Sequence, residues 1–207
     1  MTATAMRLRH LVLVRHGETE GQSSIRYYGA TDVPLSESGR RQLARVGRAL
    51  ADTPVDVIYT SALRRTVEGA RIIAPDVPAR AIASFNEVHF GEWEGLTREE
   101  IAARDPERYG QWRRALDDFR YPGGEAVAAF RARVVHAWRG LLPATPAHAL
   151  VVAHKGVIAS IIAEMLGLPP AQRAAWPIDL ASIHVLEAAD GRWRAAVVNE
   201  CRHLADL

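Results

Sequence analysis

Short apolar runs, most of them rich in β-branched residues, alternate along the chain with segments of helical periodicity. The extended runs cover residues 9–14, 55–59, 149–153, 183–186 and 193–198, with a weaker candidate at 79–83. Helices are predicted over 37–50 after an N-cap at Ser36, over 62–73 after Ser61, and over 156–166, ended by Gly167. This alternation predicts an α/β fold, a three-layer sandwich whose mostly parallel central sheet carries helices on both faces.

Size and composition indicate one folded unit. The chain has 207 residues, of which 48% are hydrophobic and 24% charged, as in ordinary globular proteins. We expect a single domain over 1–207, with a small, mostly helical cap insertion at about 88–130, where aromatic residues become frequent. No apolar run is long enough to span a bilayer, and residues 1–7 contain no hydrophobic signal region. We therefore expect a cytoplasmic protein that does not bind membranes.

Charge and metal-ligand residues argue against several function classes. The formal net charge is only +2 and the arginines are interspersed with acidic residues, so we expect no nucleic-acid partner. The single cysteine, Cys201, excludes an internal disulfide, and the eight histidines show no paired metal-ligand spacing. We expect no metal ion and no other cofactor, while a homodimer is left open.

Two histidines each follow an apolar strand directly. His16 comes after the run 11–14, with Arg15 beside it, and His154 comes after 149–153. The carboxyl ends of strands form the edge at which open α/β sheets carry out chemistry. A histidine can act as a nucleophile, and the fork of an arginine suits a phosphate. The pattern suggests phosphoryl transfer through histidine, although an isolated histidine after a strand is more often structural.

Two further groups fit such a site. The block Ser-Ala-Leu-Arg-Arg at 61–65 stands where a strand gives way to a helix, and a helix N-terminus with an arginine favours anions. Arg64 and Arg65 could equally be solvated surface residues. Glu87 has apolar neighbours, which can raise the pKa of a carboxyl group and allow it to donate a proton to a departing alkoxide.

Taken in order along nearly the whole chain, these motifs resemble the histidine phosphatase superfamily. The matching segments are Arg-His-Gly-Glu-Thr at 15–19, Asp-Val-Pro-Leu-Ser-Glu-Ser-Gly at 32–39, the block at 61–65, the surroundings of Glu87 and the strand that ends at His154. The resemblance implies that His16 is the phosphorylated nucleophile and Glu87 the proton donor. The groups that it assigns to the phosphoryl oxygens are Arg15, Arg65 and His154; the family pattern selects Arg65 as the fifth residue of its block.

Candidate substrate contacts lie in the loop after the first motif and next to His154. Gln22 stands where relatives often have an asparagine near the phosphate, and Lys155 stands where many have glycine. A cation at a helix start opposes the helix dipole, so Lys155 faces an anion, such as a carboxylate or the substrate's phosphate, or points into solvent. The remaining candidates are Ser23, Arg26, Tyr28 and Gly29. Of these, Arg26 either contacts a second anionic group or faces solvent.

The resemblance leads to ranked hypotheses about function. The first is a metal-independent phosphomonoesterase that hydrolyses small phosphorylated metabolites through a phosphohistidine, with α-ribazole 5′-phosphate as the named candidate substrate. The second is a 2,3-bisphosphoglycerate-dependent phosphoglycerate mutase. The compact interval between Glu87 and His154 and the short tail after the last strand favour the first, because water could then reach the phosphohistidine. A third hypothesis, from another class, is a non-catalytic phosphate-binding scaffold.

Overall fold

The computed structural model of the protein describes residues 7–115 and 118–205, and a six-stranded sheet lies at the centre of this part. The strands are β1 (His10–Arg15), β2 (Val57–Thr60), β3 (Ala79–Ala81), β4 (His148–Ala153), β5 (Ile183–Ala189) and β6 (Arg192–Glu200). Their order is β3-β2-β4-β1-β5-β6, and the pairs β2–β3, β2–β4 and β1–β4 are parallel. β5 runs antiparallel to both β1 and β6. The predicted mostly parallel sheet is confirmed.

Helices cover both faces of this sheet. They are α1 (Glu37–Ala49), α2 (Arg64–Ile73), α3 (Arg98–Arg104), α4 (Pro106–Ala115), α5 (Val127–Leu141), α6 (Lys155–Leu166) and α7 (Pro170–Ala175), with 3-10 turns at Ala83–Phe85, Gly91–Trp93, Leu142–Ala144 and Arg202–Leu204. In β1, Leu11 and Leu13 pack on the side of α5 and α6, whereas Val12 and Val14 pack on the side of α1 and α2. Because successive strand residues point to opposite faces, an apolar run buried on both sides is what a three-layer fold requires.

The ends of two helices test the capping predictions. Ser36 is the N-cap of α1, where its Oγ accepts a hydrogen bond from the Gly39 backbone N at 3.0 Å, and Gly167 ends α6 with a φ of 64°. The prediction that Ser61 caps α2 is wrong, because α2 begins at Arg64. Ser61 lies buried just after β2, which itself begins at Val57 rather than at 55. The other element ends agree within a few residues.

The segment predicted as a cap carries α3, α4 and the 3-10 turn at Gly91–Trp93. Its aromatic rings pack edge to face, with centroids 5.8 Å apart for Trp93 and Trp112 and 4.9 Å apart for Phe90 and Tyr121. These rings join the hydrophobic cluster on the α5–α6 side of the sheet. The division into one domain and an inserted cap stays a prediction.

Two expectations concern the chain ends and membranes. Residues 1–6, which form most of the segment without a signal sequence, lie outside the described residues, as do 206–207 at the end of the tail. Within 7–115 and 118–205, no helix is both long and apolar enough to cross a membrane.

Candidate active site

The parallel pairing of β1 with β4 brings His16 and His154 together. Arg15 is in register with Ala153, so the residue after each strand lies at the same edge of the sheet. The backbone N of His16 continues the ladder by donating to the Ala153 carbonyl at 2.9 Å. The two imidazole centroids are 5.1 Å apart, and both rings are buried. The sheet itself therefore fixes the relative position of the two histidines.

The hydrogen bond of His16 determines which ring nitrogen is reactive. Its Nδ1 lies 2.8 Å from the Gly17 carbonyl oxygen. Because a carbonyl only accepts, Nδ1 carries the hydrogen and the neutral ring presents a free electron pair on Nε2. Burial, followed by the positive charges of Arg65 and Arg15, lowers the pKa of His16 well below its ordinary value. His16 is thus a neutral imidazole at neutral pH, the form that a nucleophile needs.

His154 is held in the opposite tautomer by protein groups. Its Nδ1 accepts from Arg65 Nε at 3.3 Å, so its Nε2 carries the hydrogen and donates to Ser61 Oγ at 2.9 Å. Ser61 Oγ also accepts from the Leu63 backbone N at 3.1 Å. Burial and then Arg65 lower the pKa of His154 well below its ordinary value, which keeps the ring neutral. Both ring nitrogens are therefore already hydrogen-bonded within the protein.

Arg65 lies at the site, whereas Arg64 lies at the surface. Arg64 is exposed and pairs with Asp32 at 3.2 Å. Arg65 is completely buried, which lowers the pKa of its guanidinium to about 10. Its Nη1 donates to the Thr31 carbonyl at 2.8 Å, and its Nη2 donates to the carbonyls of Gly29 at 2.7 Å and Tyr28 at 3.3 Å. Together with the bond to His154, these contacts use most of the N–H groups that a guanidinium offers.

Arg15 has more hydrogen-bonding capacity left. Its Nη1 donates to the Ile178 carbonyl at 3.0 Å, and its buried Nε has no hydrogen-bond partner in the described part of the chain. Arg15 and His16 both line a cavity of about 370 Å³ at this edge of the sheet. Of the two arginines, Arg15 is the one better able to bind an incoming anion.

Glu87 lies in the same cavity wall and is almost fully buried. Its Oε1 accepts from the Val88 backbone N and its Oε2 from the Gly156 backbone N, both at 2.9 Å. Burial raises the pKa of Glu87, although these two bonds and the nearby arginines oppose the shift. A Cβ at position 156 would lie 2.5 Å from Glu87 Oε1, so a larger residue there would displace this carboxyl group. This buried carboxyl group can hold a proton at a higher pH than an exposed one.

Sequence reasoning missed the residue that holds the Glu87 segment in place. Arg133 on α5 donates to the carbonyls of Ser84 and Asn86, each at 2.9 Å, and to that of Glu87 at 3.2 Å. It also pairs with Glu125 at 2.8 Å. The chain around Arg133 does not reveal this role, because the three carbonyls that it binds lie more than forty residues earlier.

Four of the six predicted substrate residues line the cavity. The cavity wall includes Ser23, Arg26, Tyr28 and Lys155. Arg26 already pairs with Glu100 at 2.9 Å and donates to the Gly95 carbonyl at 2.7 Å. Arg98, which the sequence analysis did not select, also lines the cavity.

Gln22 and Gly29 are not among the residues that line this cavity. Gln22 is exposed and has a left-handed backbone with φ of 63°. Its backbone closes the turn after the first motif, where its carbonyl accepts from the N of Arg26 at 2.9 Å. Gly29 is buried against Val88, whose carbonyl oxygen would lie 1.7 Å from a Cβ at this position. A substrate contact by either residue stays a prediction.

A second chamber of about 280 Å³ adjoins the cavity. Both spaces are lined by Glu87, Lys155 and Tyr27, and the additional walls of the chamber include Trp112, Tyr121 and Trp176. A polar pocket that contains the reactive groups thus lies next to an aromatic one. In the described ranges, no group of three or more histidine, cysteine or acidic residues is arranged to hold a metal ion.

Comparison with known proteins gives one family. A family model described as "Histidine phosphatase superfamily (branch 1)" matches residues 11–201. The 2,3-bisphosphoglycerate-dependent phosphoglycerate mutase 2 of Gloeobacter violaceus is 34% identical over 201 residues, which cover 92% of this chain and 91% of the relative. The adenosylcobalamin/alpha-ribazole phosphatase of Salmonella typhimurium is 30% identical over 192 residues, covering 91% and 95%.

Comparison with solved structures points to the same family. The crystal structure of the alpha-ribazole phosphatase from Shigella flexneri superposes with a TM-score of 0.83 at 27% identity, covering 92% of this chain and 96% of that one. The similarity of fold therefore extends over more than nine-tenths of both chains.

Proposed function

Because the chain belongs to the histidine phosphatase superfamily and is a phosphoric monoester hydrolase, we propose that it hydrolyses small phosphorylated metabolites through a phosphohistidine on His16. The observation that carries this proposal is the free electron pair of His16 Nε2, fixed by the Nδ1 bond to Gly17. Arg15 beside it and the protonatable Glu87 supply the other two requirements of phosphoryl transfer, charge stabilisation and a proton.

In the first step, His16 Nε2 attacks the phosphorus and the ester P–O bond breaks. Phosphoryl transfer passes through a loose transition state whose charge spreads over the equatorial oxygens, so positioned cations stabilise it. Arg15 and the remaining N–H of Arg65 supply positive charge, which is why a metal ion is not needed for this step. Glu87 gives its proton to the leaving oxygen, and the alcohol departs.

In the second step, water attacks the phosphorus and the P–N bond of the phosphohistidine breaks. The Glu87 carboxylate accepts a proton from this water and returns to its starting form, while inorganic phosphate leaves. The overall reaction consumes one ester and one water and yields an alcohol and phosphate. Two easier steps thus replace one difficult displacement.

The named candidate substrate is α-ribazole 5′-phosphate. Its flat aromatic base suits the chamber lined by Trp112, Tyr121 and Trp176, next to the cavity that would hold its phosphate. The similarity to alpha-ribazole phosphatases supports the same choice. The mutase similarity keeps 2,3-bisphosphoglycerate-dependent isomerisation of phosphoglycerate as the second candidate.

The test begins with p-nitrophenyl phosphate and a chelator, followed by a panel of sugar, nucleotide and glycerate phosphates that includes α-ribazole 5′-phosphate. We expect wild type to release phosphate and to carry label on His16 after quenching without acid. The variant His16→Ala loses both, whereas the control His89→Ala, at an exposed histidine near the site, keeps both. Label on another residue, or isomerisation of 3-phosphoglycerate stimulated by 2,3-bisphosphoglycerate and faster than hydrolysis, would contradict the proposal.

A further inference from the structure

Lys155 is a cation in the cavity for which the described chain provides no partner. It is the first residue of α6, directly after His154, and its side chain lines both the cavity and the aromatic chamber. Among residues 7–115 and 118–205, no carboxylate forms an ion pair with it. It is also the single lysine of the whole sequence.

Its surroundings disfavour an isolated positive charge. Loss of water around the ammonium and then repulsion from Arg15 lower the pKa of Lys155; Arg98 adds to this repulsion, while Asp179 and Glu87 act against it. Asp179 is itself bound by the side chain of Asn199 at 2.7 Å. The helix dipole at the start of α6 also opposes a cation. The negative charge of a bound anion would offset all three effects.

The other basic groups of the site are less available to such an anion. Both ring nitrogens of His154 are hydrogen-bonded, and Arg65 spends most of its N–H groups on His154 and on the carbonyls of residues 28–31. A phosphoryl group presents several oxygens and more than one negative charge. Arg15 carries a single positive charge, and its Nη1 already donates to the Ile178 carbonyl. Arg15 alone therefore leaves part of the phosphoryl charge without a counter-charge.

We propose that the Lys155 ammonium binds a phosphoryl oxygen of the substrate beside Arg15, as a further residue of the site described under the proposed function. The compact charge of an ammonium on a flexible four-carbon stem suits this task, because it can follow the phosphoryl group as it moves from the ester oxygen toward His16 Nε2. Lys155 also stands at the boundary of the aromatic chamber, where the leaving group begins.

The first experiment detects binding without turnover, so its result does not depend on whether the enzyme hydrolyses anything. Reductive 13C-methylation of the intact protein labels Lys155 and the N-terminal amine, and Lys155→Arg identifies the lysine signal. We expect inorganic phosphate to move the Lys155 signal and to raise its pKa by about 1 to 3, the effect of an opposite charge at 4–6 Å. A Lys155 signal that is unchanged at saturating phosphate would overturn the proposal.

The second experiment separates the transferred phosphoryl group from a second anion on the leaving group. We expect Lys155→Met to raise the inhibition constant of inorganic phosphate and the KM of p-nitrophenyl phosphate about tenfold, with partial recovery in Lys155→Arg. The control Arg41→Met removes one exposed positive charge on α1 and should change neither. If only phosphoglycerate, which carries a carboxylate, loses affinity, Lys155 binds the leaving group and the proposal is wrong.

Discussion

Replacing Glu87 by glutamine tests the proton-donor role most directly, because the side-chain shape is kept and the transferable proton is lost. For an alkyl phosphate we expect kcat/KM to fall by about 10²- to 10⁴-fold, the usual contribution of a general acid. At about 1.4 kcal/mol per factor of ten, this is about 3 to 6 kcal/mol of lost transition-state stabilisation. p-Nitrophenolate leaves without a proton, so kcat/KM for p-nitrophenyl phosphate should change far less.

The second step should also slow in Glu87→Gln, because the base that activates water is gone. We therefore expect a burst of p-nitrophenolate followed by slow turnover, with phosphohistidine accumulating. The structure predicts a stability cost as well. Both carboxylate oxygens accept backbone N–H groups, and a glutamine has one carbonyl oxygen to serve two donors. One N–H left without an acceptor costs about 1–3 kcal/mol, measurable by urea denaturation.

The matched control is Glu92→Gln, an exposed acid five residues after Glu87, which should change neither kinetics nor stability. Equal losses of kcat/KM for the alkyl and the p-nitrophenyl substrate would refute the reasoning. The role of Glu87 would then be structural only, joining the backbone at Val88 to the start of α6 through its two hydrogen bonds.

Two stability predictions concern buried polar groups. Ser61→Ala leaves the buried N–H groups of His154 and Leu63 without their acceptor and should lower the free energy of unfolding by about 1–3 kcal/mol; an unchanged urea midpoint would contradict this. His184 is fully buried, and burial lowers its pKa from 6.5 to about 4, so the unfolded chain takes up a proton below about pH 6.5 that the folded chain does not. Stability should therefore fall by about 3 kcal/mol between pH 7 and pH 4 on account of this group, and the pH dependence should be smaller by that amount in His184→Asn; a wild-type slope in the variant would show that His184 does not contribute it.

The sheet and the ends of its strands could be predicted because their signals are local. The run 11–14 is apolar at every position, which indicates burial on both faces, and His16 and His154 follow their strands immediately. Parallel neighbours then bring strand ends together without further information. The N-cap at Ser36 could be predicted for the same reason, because the Ser36 hydroxyl and the Gly39 N–H that donates to it are only three residues apart.

What the sequence could not show depends on contacts between distant segments. Serine is favoured at helix N-caps, and Ser61 stands just before a helical segment. The fold nevertheless brings His154 Nε2 within 2.9 Å of Ser61 Oγ, which accepts a hydrogen bond from it. Gln22 is predicted as a substrate contact because its amide stands where relatives often have an asparagine. In the structure it lies in a left-handed turn and is exposed. The roles of Arg133, which binds the carbonyls of the Glu87 segment, and of Arg98, which lines the cavity, could not be predicted, because both arise from contacts between distant parts of the chain.

The two reacting imidazoles and the aromatic wall of the chamber are held by different parts of the structure. The spacing of the two imidazoles is set by backbone hydrogen bonds of paired strands, whereas the aromatic wall comes from α4, from the stretch that follows it and from the end of α7. Mutations that reshape this wall can alter which molecules enter while the reacting groups keep their geometry. New specificities can thus arise on this scaffold without rebuilding its chemistry.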